Sequence, residues 1–277
     1  MGKAKDIILR PISAQEANAL VKRVHYSGKV VNNSQLHIGV FYQGKLEGAM
    51  QFGPSLDKRK IQGLVSGTAW HEFIELNRMA FTDVLPRNSE SRAIAVAMRL
   101  LRKHAPQVKW VITFADGTQC GDGTIYRAAG FVLTGIKKND QIWAAPDAGA
   151  QESRTSLTNN RSKSQQSAAR RLSRVTATKA NNIMETGAAS MRPFIEAGFK
   201  PLQGFQLRYI YFIDPAYRQR LTVPELPYSA IADAGARMYK GERLDTRPVN
   251  GDDLATSEAG RFDSEPGALI EAEPHGD

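Results

Sequence analysis

The stretch KWVITFADGTQCGDGTIYRAAGF, residues 109–131, constrains the fold more than any other part of the chain. Residues 110–115 are a β-branched and aromatic run of strand length. The run stops at Asp116 and crosses a loop containing Gly117, Gly121 and Gly123. A short helical piece then covers 124–129, Gly130 reads as its left-handed cap, and Phe131 opens another strand. A carboxylate is thus presented at a strand end, one loop ahead of Tyr126, where glycines let another molecule approach the backbone. Two readings are open: a strand–turn–helix corner in which Asp116 caps a turn, or a site where that carboxylate does chemistry.

The 277 residues exceed one typical domain, and a hydrophobic fraction of 42% supports a sizeable core. No apolar run approaches the ~18 residues of a membrane span, and the first residues lack a secretion signal. Cys120 is the single cysteine, so no disulfide frame or thiolate zinc cluster is expected. These features imply a cytoplasmic protein. The net charge of +9 is uneven: from Lys240 onward ten acids face four bases, a balance of −6, which leaves +15 on the preceding residues. A body this basic suggests a polyanionic partner, nucleic acid first, with a basic surface kept for solubility as the alternative.

In chain order, residues 7–12 read as a strand. Ser13 then caps a helix, with Glu16 completing a capping box and Ala17, Leu20, Val21 and Val24 as the apolar stripe. That helix runs out at His25-Tyr-Ser-Gly-Lys29, a polar loop carrying an imidazole, the Tyr26 phenol and an ammonium. Residues 36–42 and 46–52 flank Gln43-Gly44-Lys45 as a hairpin. In the following loop Lys58, Arg59 and Lys60 suit phosphate contacts or form a solvated charge run. The next strand, 73–81, holds Glu75, Asn77 and Arg78 inside an apolar run. Strict alternation puts Glu75 and Asn77 on one face and Arg78 on the other. Such groups either line a cavity or ligand, or pair internally. Residues 93–104 form an amphipathic helix capped by Asn88 or Ser89. Its N-terminus is suited to phosphate, aided by Arg87 and Arg92.

Beyond residue 136 the order weakens. Residues 147–186 read as a basic, partly helical insertion within a catalytic domain of residues 1–220. Its Arg170, Arg171 and Arg174 would meet nucleic acid. Residues 206–213 are a strong strand, stopped by Asp214-Pro215. Residues 221–277 read as a Pro-, Gly- and acid-rich tail, disordered by its end.

This order is an α/β layout with a mixed central sheet flanked by helices, compatible with the GNAT acyltransferase fold. The motifs HYSGK (25–29), MQFGP (50–54), FIELNRMAF (73–81), NSESR (88–92), FADGTQCGDGTIY (114–126) and GFQLRYIYF (204–212) closely resemble the Mom DNA-modification proteins of Mu-like phages, over roughly residues 7–215. The resemblance implies a GNAT-like enzyme that places a carbamoylmethyl group on the exocyclic amine of adenine in phage DNA, shielding it from host restriction. By position it also implies an active site of His25, Tyr26, Arg78, Ser91, Asp116 and Tyr126, an iron requirement, and acetyl-CoA as donor.

The residues suit such chemistry. The adenine amine is a poor nucleophile, so Asp116 would accept its proton. Tyr126 would protonate the leaving group, and Arg78 would stabilise an oxyanion or hold the donor. His25 and Tyr26, with Lys29, Glu75 and Asn77 nearby, would hold an adenine swung out of double-stranded DNA. His25 and Asp116 are the candidate metal ligands, an incomplete set for iron.

One departure bears on the donor. Coenzyme A-binding GNAT enzymes usually carry glycines in the pyrophosphate loop, whereas Arg87-Asn-Ser-Glu-Ser-Arg92 has none and places Glu90 near the phosphates. A glycyl donor, with glycyl-tRNA as its carrier, is the alternative: its amine would become the nitrogen joined to the purine, and the original exocyclic nitrogen would end in the final amide. Two other functions compete: a GNAT-type acetyltransferase of protein amines, and a non-enzymatic DNA-binding protein.

Overall fold

The computed structural model describes residues 3–25, 28–117, 121–138, 142–144, 154–156, 195–196, 198, 200–201, 204–239 and 242–243. Strand β1 (Ile8–Pro11) leads into helix α1 (Ala14–Val24), then the hairpin β2 (Leu36–Tyr42) and β3 (Lys45–Gly53). After the short helix α2 (Lys58–Gln62) come β4 (Phe73–Phe81), α3 (Ser89–His104), β5 (Trp110–Asp116), α4 (Thr124–Ala128) and β6 (Val132–Lys138). Strand β7 (Phe205–Phe212) and helix α5 (Ser229–Asp233) follow.

These strands form one seven-stranded sheet in the order β1-β2-β3-β4-β5-β7-β6. Only β4 and β5 run parallel. This is the mixed sheet expected of a GNAT-like chain, with the late strand β7 inserted between β5 and β6. Ile142–Ala144, Arg154–Ser156 and Lys200–Pro201 make a separate three-stranded sheet.

Local chemistry explains the elements. Ser13 Oγ accepts from Glu16 N at 3.2 Å while Glu16 Oε2 accepts from Ser13 N at 2.9 Å, so the capping box holds the start of α1 as read from the residues. Gly123 has φ +76° and an added Cβ would lie 2.6 Å from the Tyr209 ring, so both backbone and packing demand glycine there.

The sheet has two covered faces. On one, α3 and α4 bury Ile94, Met98 and Leu101 against Met50, Phe52, Leu76, Val111 and Ala115. On the other, α1 packs Ala17 and Leu20 over Ala49, and α2 helps cover Phe73, Trp110 and Ile112. Phe73 and Trp110 stack with ring centroids 4.6 Å apart.

The helix expected at 93–104 begins four residues earlier, at Ser89. The domain boundary expected at 220 also moves. Leu226 and Tyr228 pack against the α3-side core, where Ile231 and Ala236 are buried, and the Tyr228 hydroxyl donates to Phe131 O at 2.8 Å. The apolar residues of this segment are spaced too irregularly to show a period, yet Leu226, Tyr228, Ile231 and Ala236 pack into the core. The basic insertion, apart from Arg154–Ser156, and residues 244–277 lie outside the described residues.

Ile231 is 2% exposed, so Ile231→Ala is expected to cost about 2–5 kcal/mol through lost transfer energy and a cavity. Urea unfolding measures it. An unchanged midpoint would show that 221–239 is a tail.

Candidate functional site

Strand β4 carries a bulge. Gln51 on β3 faces Arg78, while the next residue, Phe52, faces Leu76, so Asn77 is an extra residue on β4. A bulge shifts the alternation by one position. Phe73 and Glu75 share the α1/α2 face with Trp110 and Ile112, their partners in register. After the bulge Arg78 returns to that same face, opposite Gln51. Strict alternation had put Glu75 and Arg78 on opposite sides, and the bulge brings them together.

The β4–β5 pairing ends where the bulge begins. It covers only Phe73–Glu75 against Trp110–Ile112. Beyond it β4 stays with β3 and β5 stays with β7, so the two parallel strands splay. Thr113 Oγ1 donates to Leu76 O at 3.2 Å across the apex.

A polar cluster occupies the α1 side of this opening. Arg78 Nε donates to Lys29 O at 3.2 Å and Nη1 to Asn77 O at 2.8 Å. Ser34 Oγ donates to Asn77 Oδ1 at 3.1 Å. Burial, with Arg78 beside it, lowers the His25 pKa to about 3, so the imidazole is neutral at physiological pH. The same two causes lower Lys29. Burial raises the Glu75 carboxyl, against the nearby Ser55 and Asn77 side chains and the Arg78 charge.

Gln51, fully buried, donates from Nε2 to Asn18 Oδ1 at 2.8 Å and lies 3.3 Å from His37 Nδ1. Ser34, Ser55, Gln51 and His37 were not picked out from the residues. Single polar residues in loops or strands look ordinary until the bulge gathers them.

The α3 side of the sheet holds a pocket of about 380 Å³ between the start of α3 and α4. It is lined by Asp83, Arg87, Asn88, Ser89, Glu90 and Ser91, with Thr124, Ile125 and Ala128 from α4. Asn88 is the cap residue of α3 but sits in the left-handed region at φ 67° and makes no capping side-chain bond. Ser89 is 1% exposed and its Oγ has no partner. Arg92 Nε is likewise buried without one. Glu90 stands at the open mouth, reaching solvent, yet enough protein surrounds its carboxyl to raise the pKa, with the Asp83 charge adding to the effect.

Asp116 and Tyr126 fall on different sides. Tyr126 is buried in the α3-side core with Ala115, its ring 5.7 Å from Phe131 and 5.6 Å from Tyr209. Alternation along β5 carries Asp116 to the face of Phe114, the side of the Glu75–Arg78 cluster. By alternation along the strand, the carboxylate and the phenol thus start from opposite faces of the sheet. Of the remaining expected residues, Lys58, Arg59 and Lys60 lie on α2, whereas Tyr26, Arg170, Arg171 and Arg174 are outside the described residues.

The donor set does not fit iron. Among the described residues no three His, Cys, Asp or Glu side chains gather to hold a metal. His25 also sits beside the Arg78 guanidinium, which opposes a further cation.

A family model for the Mom protein family matches residues 6–230. The chain belongs to the Mom family. The methylcarbamoylase mom of Escherichia phage Mu is 41% identical over 133 residues, 48% of this chain and 55% of that protein, so the match spans about half the length of the relative. Solved structures similar to the chain include a Bacillus subtilis acetyltransferase in complex with CoA, at 12% identity and TM-score 0.35 over 49% of this chain and 80% of that one. A GNAT family acetyltransferase from Elizabethkingia anophelis with acetyl-CoA bound is 16% identical, at TM-score 0.31 over 48% of this chain and 81% of that one. Among the described residues no helix is long and apolar enough to cross a membrane.

The buried neutral imidazole makes Mom-family stability here acid-sensitive. Unfolded His25 takes a proton near pH 6.5, while the folded group waits until about 3, so acid favours unfolding through that window. Stability is expected to fall as pH drops below 6.5, by on the order of 1.4 kcal/mol per pH unit from this group alone. Urea unfolding at pH 7 and pH 4 checks it: His25→Gln should lose less stability over this range than the unmodified chain.

Proposed function

We propose that this chain is a phage DNA-modifying enzyme. In this reading it acylates the exocyclic amine of an adenine turned out of the duplex and converts it to the carbamoylmethyl form. The observation that carries the reading is the splay of β4 and β5, with a polar, cation-bearing cluster on one side and a pocket at the α3 N-terminus on the other. The acceptor would enter on the Glu75–Arg78 side and the donor on the α3 side, so that nucleophile and carbonyl meet at the opening.

Asp116 is the base for the adenine proton, and Glu75, whose pKa is raised by burial, is the second candidate on the same face. Arg78 balances the oxyanion as it forms. Neutral His25 accepts or donates one hydrogen bond to the base edge without adding charge, next to Lys29 and, by the family resemblance, Tyr26. Tyr126, on the donor side, returns a proton to the leaving group. Proton removal and proton return are thus separated by the sheet, which prevents the acid and base from neutralising one another.

Acetyl-CoA is one donor, in keeping with the resemblance. Two observations favour a glycyl donor, with glycyl-tRNA as the carrier. Asp83 and Glu90 line the pocket where a diphosphate would sit, and the stretch from Arg87 to Arg92 supplies no glycine to admit it. The proposed product also favours it. Acyl transfer releases the carrier hydroxyl and gives adenine–NH–CO–CH2–NH2. The free amine then attacks the purine carbon bearing the amide, forming a five-membered spiro ring, and the C–N bond to the amide nitrogen breaks. The amine proton passes to that nitrogen, leaving adenine–NH–CH2–CO–NH2 with no change in oxidation state.

Nucleosides from DNA co-expressed with the chain, read by mass spectrometry, are expected to contain carbamoylmethyl adenine. Arg78→Ala and Asp116→Asn should each lower it by roughly 10²-fold. An unmodified adenine pool in the presence of folded protein would remove the reading. Feeding ¹⁵N,¹³C-glycine is expected to label the mark in both nitrogen and carbon. Label from acetate with none from glycine would assign the donor to acetyl-CoA.

A further inference from the structure

We propose, resting on the DNA-modifying reading above, that Leu56 is the apolar wedge that enters the duplex and fills the gap left by the extruded adenine. Leu56 is 94% exposed, although the chain on both sides of it is pinned. Upstream, an added Cβ on Gly53 would lie 2.6 Å from Asn33 O and 2.8 Å from Asn77 Oδ1, so the end of β3 is clamped onto the β4 bulge. Asn33 Nδ2 holds Pro54 O at 2.9 Å, and Ser55 is 5% exposed, its hydroxyl beside Glu75. Downstream, Asp57 caps α2, and Ile61, 9% exposed, sinks into the core around Phe73 and Trp110. A leucine held out between two buried anchors cannot fold back onto its own protein.

Its position matches the gap. Leu56 follows Ser55, which lies near Glu75, and comes three residues after Gly53, the register partner of Glu75, so it stands at the rim of the polar cluster proposed to receive the base. A base rotating into that cluster leaves its stacking space next to the rim. Filling the space with an apolar side chain recovers part of the lost stacking and hinders return of the base. The surroundings suit the same partner. Arg59 and Lys60 are exposed one helical turn on. Lys58 Nζ lies 4.6 Å above the ring of Trp70, which is itself 52% exposed. Cations flanking an apolar point, with an aromatic face beside it, match phosphates on either side of an opened base step. A protein partner would find a single leucine followed by three basic residues a poor apolar contact.

The test compares two oligonucleotide substrates, one with the target adenine paired in a duplex and one with it opposite an abasic site, where little extrusion is needed. Leu56→Ala is expected to lower modification of the paired substrate at least tenfold and that of the abasic substrate less than twofold. Leu56→Phe should keep activity on both. With 2-aminopurine at the target position, binding of the unmodified chain should raise the fluorescence, and Leu56→Ala should lose that rise at saturating protein. Equal activity of Leu56→Ala on both substrates, or an equal loss on both, overturns the wedge while leaving the enzyme in place. Failure of the underlying reading looks different: the unmodified chain would leave both substrates untouched, and the wedge would fall with it.

Discussion

One extra residue in β4 organises this molecule. Opposite Gln51 the strand supplies both Asn77 and Arg78, and from that point β4 and β5 are no longer hydrogen-bonded to each other. A sheet ladder cannot open in its middle without leaving peptide groups to be satisfied elsewhere. Here the outer partners do this: β3 holds β4 and β7 holds β5, each along its length beyond the split. The Thr113 hydroxyl on the Leu76 carbonyl closes the apex. The opening is thus a stable feature of the backbone, and the polar residues of β4 sit at its edge because the bulge turns them there.

The same bulge explains how so many polar groups are tolerated near the core. A buried carboxylate or imidazolium alone would be costly. Glu75 is offset by Asn77, Ser55 and Arg78. Arg78 is offset by the carbonyls of Lys29 and Asn77, and His25 avoids the cost by staying neutral. The Arg78 guanidinium and the Lys29 ammonium give the cluster two cations, and Arg78 beside His25 opposes a metal ion bound at that imidazole. An Arg78 that both supports its neighbours and meets a developing oxyanion would be fixed in place before reaction, the condition under which such charges act most strongly.

Much of the fold was legible locally. The Ser13–Glu16 box, the hairpin around Gln43-Gly44, the limits of β4 and the Asp116 strand end all follow from short-range rules and recur in the structure. The errors share one cause, dependence on a distant partner. A bulge exists only relative to the opposing strand, so nothing in FIELNRMAF tells that Glu75 and Arg78 face the same way. Likewise Leu226 and Ile231 reveal their burial only against Phe131, Leu133 and Tyr209, far away in the chain. Asp116 and Tyr126 looked like neighbours because one glycine loop joins them, but alternation in β5 assigns them to opposite faces. In the site, residues carrying unusual chemistry inside apolar runs could be recognised, whereas Ser34, Ser55, Gln51 and His37 matter only through what they touch.

In the proposed reading, the placement of Asp116 and Tyr126 on opposite faces of the sheet also bears on the donor. Acceptor and donor would then each meet the electrostatics of one face. The α1 face gathers Arg78, Lys29 and the nearby basic residues of α2, suited to a nucleic-acid phosphate backbone. The α3 face presents Asp83 and Glu90 around a helix N-terminus whose free N–H groups and buried Ser89 hydroxyl still offer donors. A diphosphate would gain from the helix end and lose to the two carboxylates, one of which already titrates above its usual range. A small acyl group bearing an ammonium would gain from both, its carbonyl toward the N–H groups and its cation toward the acids. Arg87 on the same lining adds one cation, so in the proposed reading it is the two carboxylates that favour an aminoacyl donor over a thioester held by its phosphates.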